Sequence, residues 1–251
     1  FNSPYKKSIR MEHHEKTAIL FLMVKIFFLP LMLNFFYENL NYVKNNLEIF
    51  KNPLDLISVE AFTFTLFPIL VGIVFLIDTL WFSFGYTFEA EFLKNKVKSV
   101  EPTILGWVVA LICYPPFNNI LTKYADWYAN EDIQFSTLSL TFIVKISLIL
   151  LLSIYLWATL ALGTKCSNLT NRGIVSRGPY SIIRHPAYIS KNLFWWITII
   201  PVFSLPAIIS ASTWSFIYYL RAVTEEKHLL KDPDYVKYCK KVRYRFIPFV
   251  I

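Results

Sequence analysis

Three short groups of residues in the last third of the chain combine types and spacings that can do chemistry. The first two lie in one run, Arg172-Gly173-Ile174-Val175 and then Gly178-Pro179-Tyr180 through Arg184-His185-Pro186-Ala187-Tyr188. Gly173, Gly178 and Pro179 permit a tight irregular backbone that exposes amide groups. Arg172, Arg177, Arg184 and His185 add positive charge, and no acidic residue occurs within the run. Such a stretch can hold an anion, whether a lipid headgroup at a membrane surface or part of a soluble ligand. The third group is Arg221-x-x-x-Glu225-Glu226. Arg221 and Glu225 are four apart and share one helix face. They form either a surface ion pair or two poles of a site, the glutamates for a cation and the arginine for an anion. Spacing alone leaves both readings open.

The elements that must position these groups are membrane helices. Of 251 residues, 55% are hydrophobic and only 17% charged, with a mean hydropathy of +0.46. A soluble domain carries about 25% charge. Apolar blocks of roughly the ~20 residues needed to cross a bilayer run over 17–37, 61–84, 103–121 and 138–162. The first shows no small-residue cleavage site and reads as a retained span rather than a signal peptide. A fifth block, 189–220, is too long for one span and too short for two. Pro201 and Pro206 lie near its middle, which predicts a helical hairpin turning there. The fold class expected is an all-α polytopic bundle of four spans plus this hairpin. Residues 1–162 form the membrane-spanning part and 163–251 a catalytic region.

Lys and Arg number four in 1–16, two in 38–60, three in 85–102, one in 122–137, four in 163–187 and eight from Arg221 onward. This alternation follows the positive-inside rule and places both termini and the 172–188 stretch on the cytoplasmic side. The net charge of +8 is accounted for in that way, without nucleic acid as a partner. The membrane expected is a bacterial inner membrane or, in a eukaryotic cell, the endoplasmic reticulum. Cys113, Cys166 and Cys239 are odd in number and widely spaced, so they read as free thiols; no metal site is expected, and His13-His14 reads as part of a solvated tail.

The combination of Gly178-Pro-Tyr180, Arg184-His185-Pro186-x-Tyr188, a proline-broken apolar hairpin and Arg221-x-x-x-Glu225-Glu226 resembles the isoprenylcysteine carboxyl methyltransferase family of integral-membrane enzymes. The ending Tyr235-x-x-Tyr238-x-x-x-Val242-x-x-x-Phe246-Ile-Pro248 is also similar, so the resemblance covers about residues 160–251. Ser190 stands where that family usually has glycine. The resemblance implies S-adenosylmethionine as methyl donor and S-adenosylhomocysteine as product. It places cofactor contacts at Arg172, Gly173, Ile174, Val175, Tyr180, His185, Pro186, Ala187, Tyr188 and Glu225, and makes Arg221 the substrate-contacting arginine.

The chemistry of the residues agrees with that implication. Glu225 or Glu226 can balance the donor's sulfonium and ammonium, and His185 or exposed amides can hold its carboxylate. An anionic acceptor needs no general base, so Arg184 and Arg221 favour a carboxylate or phosphate oxygen on a lipid or lipidated molecule. Arg184, Arg221 and Glu226 are therefore the expected catalytic residues. Two other readings compete, an NADPH-dependent membrane reductase of the sterol-reductase type and a non-enzymatic lipid-binding membrane protein. Within the spans, Lys25, Asp78 and Lys145 are costly in hydrocarbon. An ion pair of Asp78 with Lys145 or Lys25 is the expected resolution; the alternative is that one of the three lines the entrance for a lipid substrate. Trp81, Trp127, Trp195 and Trp196 are read as an interfacial belt.

Overall fold

A computed structural model describes residues 12–51, 57–248 and 250; the basic tail before Glu12 lies outside them. Helix α1, His13–Asn46, starts on a reciprocal cap in which the Glu12 amide donates to Glu15 at 2.8 Å. It tolerates Pro30 internally and runs well past the apolar block that predicts it. Helix α2, Val59–Thr87, begins on the Ser58 hydroxyl, which accepts from the Ala61 amide at 3.0 Å. Its early turns widen into a π segment over Phe62–Leu66, immediately before Pro68. Pro68 has no amide hydrogen, so the Thr63 carbonyl five residues back loses its partner. Lys145 takes that carbonyl at 2.9 Å.

The short helices Ile104–Leu111 (α3) and Asn118–Thr122 (α4) follow. Helix α5, Leu138–Leu162, has Thr137 as its cap and coincides with the fourth apolar block. Pro186–Thr198 (α6) and Leu205–Leu229 (α7) form the hairpin. Pro201 lies in the turn and Pro206 in the first turn of α7, capped by Ser204, as the sequence predicts. Helix α8, Pro233–Lys241, starts on the Asp232 carboxylate. The only strands among the described residues are Ser99–Val100 (β1) and Thr170–Asn171 (β2), paired antiparallel with Ser99 opposite Asn171.

The architecture is an all-α membrane bundle, but among the described residues three helices, not four, are long and apolar enough to span: 14–50, 59–87 and 138–165. The block 103–121 breaks at Pro115-Pro116, leaving α3 with eight residues, about 12 Å of helix against a core of about 30 Å. The chain still passes from one end of the bundle to the other between residues 101 and 137. At the near end β1 pairs with β2; at the far end the Asp126 carbonyl receives the Ser210 hydroxyl, and Ile133 packs with Phe67 and Leu148.

Packing runs α1 on α2, α2 on α5, α5 on α6 and α3 on α7. Phe67, Val71, Val74, Leu148, Leu152 and Phe194 fill the α2–α5–α6 seam, and Val24, Phe28, Met32 and Tyr86 the α1–α2 seam. The expected pairing of Asp78 with Lys145 or Lys25 does not form. Asp78 accepts from the Tyr155 hydroxyl at 2.9 Å and the Thr159 hydroxyl at 2.6 Å. Lys145 is held by Thr63 and the Phe67 ring, and Lys25 lies 3.9 Å from Glu89. Two α-helical hydroxyls one turn apart satisfy a carboxyl without bringing a second charge into the bilayer. Trp127 and Trp195 are also not simply a belt: their rings meet edge-on at 4.9 Å, and Trp127 meets Trp214 at 5.3 Å. Cys113, Cys166 and Cys239 are free thiols.

Candidate active site

The Arg172-to-Val175 segment leaves β2 through an Asx turn in which the Gly173 amide donates to the Asn171 side chain at 2.8 Å. Gly173 has φ +90°, a conformation that a residue with a Cβ rarely adopts, and the bend turns its backbone toward a cavity. Arg172 itself is buried. Its guanidinium donates to the Asn95 carbonyl at 2.7 Å and to the Ser167 hydroxyl at 2.9 Å, with Glu89 3.8 Å away. Asn171 is fixed in turn by Asp232 at 2.9 Å, to which Lys98 also donates at 3.0 Å. Burial works against the Asp232 carboxylate, but the hydrogen bonds from Asn171, the Asp234 amide and Lys98 hold it below its usual range.

The 184–188 segment is clamped from the C-terminal end. The amides of Arg184 and His185 donate to the carbonyls of Tyr244 and Arg245 at 3.0 and 2.9 Å. Glu226 gathers three nitrogen partners: His185 Nε2 at 3.0 Å, Arg184 Nε at 3.3 Å and Arg245 at 2.8 Å. Burial would raise the Glu226 carboxyl, but the His185 and Arg245 hydrogen bonds and the Arg184 charge outweigh it and hold it down to about 2. The run that reads as free of acid in sequence thus receives its acid from α7.

Adjacent helical residues point about 100° apart, so Glu225 and Glu226 face different surroundings. Glu225 turns toward the cavity and accepts from the Tyr188 hydroxyl at 2.7 Å. The His185 ring stacks on Tyr188, centroids 5.2 Å apart and 16° from parallel. One turn before Glu225, buried Arg221 donates to the Asn168 side chain and lies 5.4 Å from the Tyr188 ring. His228 continues the same stripe of α7. Its Nε2 is 2.9 Å from the Ser99 hydroxyl and its Nδ1 3.8 Å from Glu101. Burial lowers its proton affinity, with Glu101 acting in the opposite sense.

These groups wall one cavity of about 430 Å³, within the 300–1,000 Å³ typical of small-molecule sites. Of the sequence-predicted residues, Arg172, Gly173, Ile174, Val175, Tyr180, Arg184, His185, Ala187, Tyr188, Arg221 and Glu225 line it. Pro186 and Glu226 do not. Pro186 opens α6, and Glu226 is spent on the cations behind the wall. Sequence reasoning missed Asn168, Glu101, His228 and Lys191, all of which line the cavity, as does Asp78. His228 was findable, being seven residues from Arg221 and three from Glu225 on one face.

One family model matches part of the chain. Residues 136–232 match the phospholipid methyltransferase family. The matched region begins just before α5, ends before α8, and contains all three motif groups. It extends further toward the N-terminus than the resemblance carried by the motifs alone. The chain is thus similar to integral-membrane methyltransferases over the part that supplies most of the cavity wall. No curated protein matches the chain.

Proposed function

We propose that the protein is an integral-membrane, S-adenosylmethionine-dependent methyltransferase acting on an amphiphilic acceptor, with a carboxylate or phosphate oxygen favoured. The reading is carried by the hydrogen bond from Tyr188 to Glu225, which joins the two halves of the motif set at the wall of one cavity. The residues fit such a donor. Glu225 offers a carboxylate to an ammonium or sulfonium, the bend at Gly173 offers backbone amides to a carboxylate, and the Tyr188 ring offers a face to a cation. When bound, the donor supplies an electrophilic methyl carbon. The chain then contributes position and dryness rather than acid–base chemistry. Arg221 holds the acceptor's anion, and Asn168 fixes the Arg221 side chain.

On the acceptor side the cavity reaches Met32, Phe35, Phe75 and Phe82 on α1 and α2, apolar surface suited to a lipid chain. The cytoplasmic orientation inferred from charge gives a soluble donor access to the opposite side. Titration of the purified protein in detergent with S-adenosylhomocysteine and with NADPH tests the reading. Binding of the first alone, with one CH₂ added per lipid in cells expressing the protein, supports it. Binding of NADPH alone, or of neither, overturns it.

A further inference from the structure

Two cations face the cavity from different helices, and both are held in the same unusual way. Arg221 on α7 has aromatic rings at 5.7, 5.4 and 5.7 Å, those of Tyr114, Tyr188 and Tyr218. Lys191 on α6 has rings at 5.7, 5.4 and 5.6 Å, those of Phe75, Tyr155 and Trp195. Among the described residues, no carboxylate lies within ion-pair distance of either. This contrasts with Arg172, Arg184 and Arg245, each of which has its glutamate. Asp78, which lines the same cavity, already receives hydroxyls on both oxygens.

An aromatic cage holds a cation in place without neutralising it, so both charges stay available to the cavity. In a site of low dielectric, such a pair attracts an anion strongly. Lys191 is three residues from Tyr188 and therefore shares its cavity-facing side of α6. It also lies in the partition between the 430 Å³ cavity and a second one of about 280 Å³ that shares Phe75 with it. The ammonium thus sits among rings of α2, α5 and α6 rather than on the 172–175 segment.

We propose that Lys191 and Arg221 form a two-cation clamp for the oxyanion headgroup of the acceptor, a phosphate or a carboxylate. The inference rests on the methyltransferase reading for the word acceptor, but the clamp itself is a binding site that stands or falls separately.

Calorimetric titration in a nonionic detergent tests it, with dodecyl phosphate, dodecanoate and dodecyltrimethylammonium as probes, with and without S-adenosylhomocysteine. The expected result is that an anionic probe binds and the cationic one does not. Lys191→Met and Arg221→Met each weaken anion binding about tenfold or more, Lys191→Arg restores it, and Lys191→Met leaves S-adenosylhomocysteine affinity unchanged. The tighter of dodecyl phosphate and dodecanoate identifies the headgroup. Unchanged anion binding in folded Lys191→Met, preference for the cationic probe, or parallel loss of S-adenosylhomocysteine binding overturns the clamp. If wild-type protein ignores S-adenosylhomocysteine while Lys191→Met still loses the anionic probe, the methyltransferase reading fails and the clamp survives.

Discussion

Glu226 Oε1 lies 3.0 Å from His185 Nε2, across 41 residues of sequence, and so ties the start of α6 to the cytoplasmic-side end of α7 proposed from charge. Through Arg245 the same carboxylate also fixes the C-terminal segment whose carbonyls hold the Arg184 and His185 amides. This makes Glu226 the keystone behind the cavity wall. Glu226→Ala leaves Arg184 and Arg245 without their acid and His185 without its partner, and we expect a loss of about 3–5 kcal/mol, read as a lowered thermal midpoint in detergent.

The same group sets an acid limit. Its folded value of about 2 is below the ordinary 4.5, so its contribution is complete above pH 4.5 and drains away as pH falls toward 2. A wild-type melting series over that window should decline more steeply than that of Glu226→Gln. Parallel curves would show that the carboxylate adds no such dependence.

Glu225 should behave differently from its neighbour. It is exposed and faces the cavity, so Glu225→Gln is expected to leave the thermal midpoint within about 0.5 kcal/mol of wild type. Its effect should fall on the donor, with S-adenosylhomocysteine binding weaker by about tenfold or more. Tyr188→Phe, which removes the hydroxyl that orients Glu225, should give a smaller loss in the same direction.

Gly85 tests the junction between α2 and the segment leading to the site. A Cβ there would lie 2.0 Å from the Cys166 carbonyl oxygen, an atom of the backbone that cannot rotate away. Gly85→Ala should cost about 1–3 kcal/mol or more, measured as a thermal shift, and disturb Asn168 two residues on, which carries Arg221.

Much of this site was legible because its chemistry follows helical periodicity. Arg221 and Glu225 share a face, and the Arg-His-Pro motif puts its proline at the first turn of α6, where a missing amide does no harm. That Glu226 lies behind the cavity wall was not legible, because its partners, His185, Arg184 and Arg245, come from three places that only the folded chain brings together. Asn168 and Glu101 reach the cavity from loops with no periodicity to announce them. The 103–121 block is apolar enough to pass for a span, and only the proline pair at 115–116 signals that its helix stops early. The partners of Asp78 were overlooked because they are uncharged, and a search for opposite charges does not see hydroxyls.

The Asp78 arrangement bears on how the chain enters the bilayer. Its two hydroxyl donors lie 77 and 81 residues downstream on α5. When α2 leaves the ribosome they do not yet exist, and an unmet carboxylate at mid-helix carries an insertion cost of about 2.5–3.5 kcal/mol. The apolar remainder of α2 can carry that cost, but the helix is not complete as a membrane element until α5 arrives. Asp78 is therefore satisfied only once α5 lies beside α2, and the cavity that Asp78, Tyr155 and Thr159 line is complete only with both helices in place.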